Sequence, residues 1–293
     1  MIKKTVSRRI FEFLNTLFLV FLMIVAVYPV IHIIMASFSD PVKFMAHTGL
    51  MFRPAGDPTL LAYQNALKHP QIMGAYGNTL FIVVVGVAIN IVLTSIGAYF
   101  LSRKEVLFQR PIAVLIIVTM FFSGGMIPFY FTVKDLGLYN SIWSLILPVS
   151  VNTFNLMVMK TGFSSIPDII EESARLDGAG HFTILFKFVL PLSLPIVAVM
   201  VLYYGVAHWN SWFNALLFIN KPEKYPLQLV LRQILLANET SSMTMGVDAG
   251  AELAVSETIK YAVIVISTMP ILCVYPFLQK YFVKGIMVGA VKG

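Results

Sequence analysis

The sequence predicts an all-α, polytopic membrane protein with six transmembrane helices and one short helix held outside the membrane between spans four and five. Apolar residues make up 58% of its 293 residues and charged residues only 12%, about half the charged share of soluble domains. The mean hydropathy is +0.83, and apolar stretches long enough to cross a bilayer recur along the chain. We therefore treat residues 1–293 as one transmembrane domain.

The apolar stretches set the approximate bounds of the spans. We predict them at residues 14–38, 78–101, 111–133, 142–159, 190–219 and 261–279, with long polar loops at 40–77 and 220–260. Residues 13–39 lack Asp, Glu, Lys and Arg, a run too long for a signal peptide, so the first span is expected to be uncleaved.

The third span is interrupted by Ser123-Gly124-Gly125 and Pro128. The interruption indicates either backbone that lines a path or a simple packing kink.

Basic residues decide the orientation. The N-terminus, the loops at 102–110 and 160–190, and the C-terminal tail contain 13 Lys and Arg, whereas the longer loops on the opposite side contain eight. Because positive charge concentrates in cytoplasmic loops, both termini and the 160–190 loop are predicted to be cytoplasmic.

The most polar interior segment, residues 166–191, is predicted to begin with a helix from Ile166 to Asp177. Ser165 is the expected N-cap, with Pro167 in the first turn and an acid at the third helical position. Gly178 and Gly180 are both expected to end the helix in the left-handed conformation.

This helix is predicted to dock on another protein. Ala174 and Gly178 are four residues apart and would form a flat strip for close approach, while Glu171 and Arg175 would pair on another face. The alternative is a helix lying on lipid headgroups, which the acidic residues disfavour.

Polar residues at membrane depth either bridge helices or face a cavity. They include Asn90, Thr94 and Ser95 in span two. The aromatic and amide mixture at 208–212 suits a sugar, or else an aromatic belt at the membrane interface. The candidate substrate-path residues are Asn152, Asn155, His208, Trp209, Asn210 and Trp212.

Several function classes lack the residues they need. We find no nucleotide-binding loop, catalytic set or metal-ligand spacing, so catalytic and metal residues are predicted to be absent, with no nucleic-acid partner. The single Cys273 excludes an internal disulfide and is expected to be a buried packing residue. A secondary transporter or channel remains the alternative, but it would need ionisable residues at the midplane.

Three motifs carry a family resemblance. Glu172-Ser173-Ala174, Gly178 and Leu190-Pro191 resemble the signature of permease subunits in binding-protein-dependent ABC importers, E-A-A, three residues, G, nine residues, I-x-L-P. Ser173 replaces the second Ala, and Phe188 replaces the Ile. The tail at 288–293 resembles the second permease of maltose-type sugar importers. Residues 122–128 resemble the branch for complex saccharides or polysaccharide fragments, which includes an alginate importer.

The resemblance implies a subunit of the bacterial inner membrane that moves a saccharide by alternating access. Its implied partners are a second homologous permease, an ATPase dimer that binds ATP and Mg, and a periplasmic or lipid-anchored binding protein, all within membrane lipid. The chain itself would bind no cofactor. The segment 166–178 would be the coupling helix, and the implied ATPase-coupling residues are Glu171, Glu172, Ser173, Ala174, Asp177, Gly178 and Ala179.

Overall fold

The computed structural model describes residues 5–68, 70–244 and 250–290, and within these ranges every regular element is helical. The all-α prediction is thereby confirmed. Part of the basic N-terminus and the last three residues of the tail lie outside the described residues. The α-helices are α1 Val6–Ser37, α2 Pro41–Ala46, α3 Leu61–Lys68, α4 Pro70–Ser102, α5 Gln109–Phe121, α6 Met126–Asp135, α7 Thr153–Ser164, α8 Asp168–Leu176, α9 His181–Ile184, α10 Leu190–Leu192, α11 Leu194–Trp209, α12 Phe213–Phe218, α13 Leu227–Thr244 and α14 Gly250–Ala290.

Three stretches are long and apolar enough to cross a membrane as unbroken helices: α1, Gln71–Ser102 of α4 and Ala254–Val274 of α14. Three further pairs of helical segments are long and apolar enough to cross a membrane only if each bent pair counts as one span. Length and composition among the described residues therefore allow up to six spans. The interruption predicted in the third span lies at one of the three bends, between Phe121 and Met126, whereas the other two bends were not predicted.

The bends coincide with residues that interrupt helical hydrogen bonding. α5 and α6 meet at 115°, across an extended stretch in which Gly125 has a φ of +86°, a conformation that favours glycine. The helical segments on either side of Ser193 meet at 88°, where Pro191 and Pro195 each lack a backbone donor. The predicted span at 190–219 is therefore not one continuous helix: it is broken near Ser193, α11 ends at Trp209, and the separate short helix α12 follows.

The fourth span is also irregular. Two 3₁₀ turns, Ile142–Leu145 and Leu147–Val149, precede α7, and the two halves meet at 49°. Irregular backbone at membrane depth must satisfy its polar groups through side chains, and the side chains that do so are described below.

Both long predicted loops are partly helical. α2 and α3 lie within 40–77, and α4 already begins at Pro70. α13 occupies 18 residues of the predicted loop at 220–260, so that prediction is wrong. The first turns of α13 are apolar, but the residues after Leu236 are mostly polar. The segment as a whole is therefore polar enough to resemble a loop.

The described residues fall into two compact units. The first is drawn from Met1–His69 and Gln233–Met269. Within it the Ser37 hydroxyl lies 2.7 Å from the Tyr63 hydroxyl, and the Ala55 backbone N–H donates to Ser39 Oγ at 2.8 Å. These bonds fix the irregular chain that follows α1.

The second unit is drawn from Pro70–Arg232 and Pro270–Gly293. α4 packs against α7 and α11 around a core that includes the fully buried side chains of Met159, Phe163 and Met200. In this unit Cys273 is exposed, which corrects the prediction of a buried packing residue: it lies on a face of α14 that the described residues leave uncovered.

Candidate functional site

The short helix α8 lies where the sequence predicts it. It begins two residues later and ends one residue earlier than the predicted helix from Ile166 to Asp177. Pro167 occupies the position before the helix without a side-chain cap. The predicted cap, Ser165, instead donates its hydroxyl to the Gly162 carbonyl and belongs to the end of α7. The fixed φ of Pro167 suits the start of a helix, and its carbonyl accepts from the Ile170 N–H at 3.2 Å.

One of the two predicted stop glycines ends the helix. Gly178 has a φ of +81°. Its N–H donates to the Arg175 carbonyl at 2.9 Å, and the next N–H, of Ala179, donates to the Ala174 carbonyl at 2.9 Å. This pair of bonds is the Schellman motif, which requires the left-handed residue. Gly180 has a φ of −75°, so its predicted role as a left-handed stop is wrong.

The inward face of α8 carries a buried carboxylate. The side chain of Glu171 is 8% exposed, and its Oε2 forms an ion pair with Arg103 Nη1. Its Oε1 accepts from the Tyr99 hydroxyl at 2.8 Å and from Arg175 Nη2 at 2.7 Å. The predicted Glu171–Arg175 pair is thus confirmed, and both carboxylate oxygens are engaged within this chain.

Arg103 depends on that carboxylate. Its side chain is 10% exposed, and its guanidinium lies 4.8 Å from the centroid of the Tyr99 ring. Among the described residues Nε and Nη2 of Arg103 have no hydrogen-bond partner. Glu171 is therefore the group that balances the buried charge of Arg103.

A second, more exposed pair extends the cluster. Arg175 Nη1 donates to Glu105 Oε2 at 2.7 Å, with side-chain exposures of 35% and 74%. The hydrogen bond and the charge of Arg175 hold the pKa of the Glu105 carboxyl below its usual range. The hydrogen bond that Arg175 donates to Glu105 raises the pKa of Arg175. Nearby, Lys104 Nζ lies 4.0 Å from Asp168 Oδ2, both side chains being largely exposed.

The outward face of α8 combines apolar and acidic side chains. Leu176 is 89% exposed and Ile169 is 67% exposed, and Glu172, Ser173 and Asp177 are also exposed. We call Ile169, Glu172, Ser173 and Leu176 the outward face, because positions three, four and seven apart share one side of a helix.

The docking strip predicted from Ala174 and Gly178 is not exposed to a partner along its whole length. Ala174 is 4% exposed and belongs to the core of this unit, although Gly178 is exposed and has open space around it. A small residue suits a close contact inside the chain as well as one outside it. The prediction of an Ala174–Gly178 docking strip is therefore wrong, and Ala174 packs α8 against its own unit.

Four residues of this region were not predicted from the sequence: Tyr99, Arg103, Ile169 and Leu176. Tyr99 is 72 positions away from Glu171, a separation at which no local pattern operates. The spacing of Ile169, Glu172 and Leu176 was visible on a helical wheel and would have identified the outward face.

A second polar cluster, without formal charge, lies halfway along α4. Asn90 is fully buried, and its Nδ2 donates to the carbonyls of Val149 and Ser150 at 3.0 and 2.7 Å. Its Oδ1 lies 2.7 Å from His208 Nε2. Since both Asn90 N–H groups are used, Oδ1 must accept, and His208 carries its proton on Nε2.

The same cluster continues through Tyr204. Its hydroxyl lies 2.8 Å from Thr94 Oγ1 and accepts from the Asn152 backbone N–H at 3.0 Å. The irregular backbone between the 3₁₀ turns and α7 is thus held from both sides, by α4 and by α11. Bridging between helices, predicted for Asn90 and Thr94, is confirmed.

The six predicted substrate-path residues occupy different environments. Asn152 and Asn210 are exposed, whereas Asn155, His208 and Trp209 are between 4% and 6% exposed. Trp212 is half-buried, with the guanidinium of Arg232 3.8 Å from its ring centroid. The role of the six in transport stays a prediction, although His208 is covered by its own chain.

Comparison with known proteins decides the family. Residues 105–288 match the family described as "Binding-protein-dependent transport system inner membrane component". This chain belongs to that family.

The permease is similar to two proteins of Bacillus subtilis (strain 168). It is 40% identical over 290 residues to the polygalacturonan/rhamnogalacturonan transport system permease protein YtcP, covering 98% of this chain and 100% of that one. It is 40% identical over 289 residues to protein LplC, covering 99% and 97%. Both similarities extend over essentially the whole length of each protein.

A solved structure shares the fold of the permease. It is a chain from the "Crystal structure of a bacterial ABC transporter involved in the import of the acidic polysaccharide alginate", with a TM-score of 0.87 and 32% identity. The match covers 96% of this permease and 100% of that chain. The protein is accordingly a polytopic membrane permease, as its apolar helices indicate.

Proposed function

We propose that this permease is one of two transmembrane subunits of an ATP-driven saccharide importer, and that α8 receives the motion of an ATPase subunit. Family membership supports the transport role. The observation that carries the role of α8 is its outward face, where Ile169 and Leu176 expose apolar surface beside Glu172. Exposed large apolar side chains rimmed by polar groups are typical of a protein contact.

The outward face fits a basic partner surface. Glu172 would pair with a basic or amide group of the ATPase, and Leu176 would fill an apolar depression beside it. Glu171 takes no part in that contact, because both of its oxygens are engaged by Tyr99, Arg103 and Arg175. The docking role predicted for Glu171 therefore passes to Ile169 and Leu176.

The orientation follows from the distribution of Lys and Arg. Both termini and α8 lie on the cytoplasmic side of a bacterial inner membrane, and the chain spans that membrane six times. ATP and Mg bind to the partner ATPase subunits rather than to this chain. A periplasmic or lipid-anchored binding protein delivers the substrate on the opposite side.

The substrate is a saccharide, either an oligosaccharide or an acidic polysaccharide fragment resembling alginate. The names of the similar permease and of the solved transporter support this class. The exposed amides Asn152 and Asn210 are the side chains of this permease that line the path, since amides donate to and accept from sugar hydroxyls. The Tyr204 hydroxyl, which accepts from the Asn152 backbone N–H, fixes the backbone at Asn152.

Transport proceeds by alternating access. Closure of the ATPase dimer on ATP draws the α8 helices of the two permeases together, and their spans rotate as rigid bodies from inward-open to outward-open. The saccharide then enters from the binding protein and leaves to the cytoplasm when the ATPases reopen.

The test changes the outward face and follows the ATPase. Leu176→Ser should weaken ATPase binding about 10- to 100-fold, because burying a leucine contributes roughly 1.5–3 kcal/mol. Glu172→Lys should weaken it further by placing like charges together. Co-purification of the ATPase with the permease measures both effects.

Two controls accompany this test. Leu136→Ser changes a leucine that is 67% exposed at the end of α6, predicted on the opposite side, and should leave the ATPase bound. In a Cys273→Ser background, a cysteine replacing Leu176 should react with an impermeant reagent only after the membrane is opened. Full ATPase retention by Leu176→Ser and Glu172→Lys, or labelling of intact cells, would contradict the proposal.

A further inference from the structure

We infer that Tyr99, Arg103 and Glu171 are positioning residues that fix α8 to the carboxyl end of α4, so that span two and α8 move as one rigid body. We call these three residues the clamp. This inference rests on the proposed function, because it assumes that an ATPase displaces α8. It concerns the face of α8 opposite the one that docks.

The covalent connections of α8 are too compliant to transmit force by themselves. Before it lie Ser165 and Pro167, outside any helix, and after it the left-handed Gly178 and the non-helical Gly180 lead into α9. The chain then passes through a π-helical turn, Leu185–Val189, and the 88° bend. A helix held only by such links would pivot when pushed.

The clamp attaches α8 to a different kind of element. α4 is a single helix of 33 residues, without the breaks found in the three bent pairs of helical segments that follow it in the sequence. It packs against both α7 and α11. A displacement of α8 transferred to α4 therefore reaches the centre of the unit directly.

The chemistry of the clamp suits a fixed joint. Glu171 and Arg103 are about nine-tenths buried, so water screens their attraction little. Tyr99 donates to the same carboxylate and lies under the guanidinium, which fixes both partners in one geometry. Arg175 and Glu105 brace the exposed side of the joint.

The first experiment weakens the clamp in the assembled importer. Tyr99→Phe removes one hydrogen bond, and Glu171→Gln removes the charge while its amide oxygen still accepts from Tyr99 and Arg175. Each variant should retain the partner permease and the ATPase and should still hydrolyse ATP. The amount of saccharide imported per ATP should fall about fivefold or more, because coupling free energies typically correspond to factors of that size.

A matched control removes a carboxylate charge from an exposed pair. Glu12→Gln removes the carboxylate charge from the contact of Glu12 with Arg8, whose side chains are 40% and 68% exposed, and should leave import per ATP unchanged. An unchanged ratio in both clamp variants overturns the inference. So does loss of the ATPase in Tyr99→Phe and Glu171→Gln, because it would make the clamp part of the docking surface.

The second experiment replaces the clamp by a covalent link. Lys104 Nζ lies 4.0 Å from Asp168 Oδ2, and the two side chains are 92% and 70% exposed. Cysteines at both positions, in a Cys273→Ser background, can therefore be joined by a short flexible bismaleimide that spans the length of the lost side chains. If α4 and α8 move together, the linked importer should transport as well as its two single-cysteine controls. The link should also restore import per ATP to Glu171→Gln.

Loss of transport on linking, with the single-cysteine controls unaffected, would show that α8 moves relative to α4 and would overturn the inference. Failure of the proposed function is separate: Leu176→Ser and Glu172→Lys would then retain the ATPase whatever the clamp variants do. The docking experiment thus tests the outward face of α8, and the clamp experiments test its inward face.

Discussion

The two polar clusters on α4 use different chemistry. At the carboxyl end, Arg103 meets Glu171 as a buried ion pair, whereas halfway along the helix Asn90 meets His208 and two backbone carbonyls. A charge in the hydrocarbon core is costly, so a neutral amide serves there. The charged cluster occupies the end of the span, where α8 and the loop after α4 cover it.

This difference decides how each cluster fails. A buried ion pair is balanced as a pair, and removal of one member leaves the other charge without compensation. In the Asn90 cluster each donor is paired with an acceptor. Disrupting the cluster leaves neutral groups unpaired, which costs less free energy than leaving a buried charge unpaired. A variant that removes a charge at the end of α4 should therefore destabilise the fold more than any single substitution in the middle of the helix.

The largest effect is expected for Arg103→Met. It leaves the Glu171 carboxylate buried with fewer donors and should destabilise the permease by about 3–5 kcal/mol. Adding Glu171→Leu should recover most of that loss, because a buried pair replaced by apolar residues is often close to neutral. Thermal unfolding midpoints of the detergent-purified complex measure both variants.

The comparison with the single variant Glu171→Leu completes this cycle. Glu171→Leu alone should also destabilise the complex, and the losses of the two single variants should not add. If the double variant is as unstable as the sum of the two, the charges of Arg103 and Glu171 are not balanced against each other.

An intermediate effect is expected for Gly86→Ala on the same helix. A Cβ at Gly86 would lie 2.6 Å from His208 Nε2, so the imidazole must move away from Asn90. We expect a loss of about 1–3 kcal/mol, the usual result of overpacking a filled core, measured as a lower unfolding midpoint.

The matched control is Gly77→Ala, also in α4, where no atom lies within 4 Å of the added Cβ. Alanine favours the helix by up to about 1 kcal/mol over glycine, so this variant should be neutral or stabilised. Equal losses at both positions would mean that helix propensity, rather than the His208 contact, controls the middle of α4.

The sequence predicted what local patterns encode. The Glu171–Arg175 pair and the stop at Gly178 follow from spacings of four residues or fewer, and both are present. The ion pair of Arg103 with Glu171 joins residues far apart in sequence, so only the tertiary fold brings it together. Asn90 at an apolar position could be predicted to bridge helices, but not which carbonyls it would bind.

Ala174 shows why a single-sequence pattern cannot distinguish two kinds of close contact. Its small side chain and its spacing from Gly178 suit a partner surface, yet the same features suit the core of its own unit, where it lies. The helices α2, α3 and α13 were missed for another reason: their polar residues made the segments around them read as loops.

The smallest effect is expected at the outer edge of the charged cluster. Glu105 is 74% exposed, so solvent screens its contact with Arg175 and the contact should contribute little to stability. Because Arg175 lowers the pKa of Glu105 in the folded protein, the contact stabilises the fold at pH values above the unfolded pKa of about 4.3. That contribution is lost as the pH falls through the lower, folded pKa.

Glu105→Gln isolates this contribution. At pH 7 the variant should unfold slightly earlier than the wild type. The difference should shrink toward zero as the pH falls through the lowered, folded pKa of Glu105, below which Glu105 is protonated in both the folded and unfolded states. Unfolding midpoints of both proteins at matched ionic strength across this pH range measure it. A difference that persists at low pH, or one that approaches the effect of Arg103→Met, would place Glu105 among the buried, balanced charges rather than at the screened edge of the cluster.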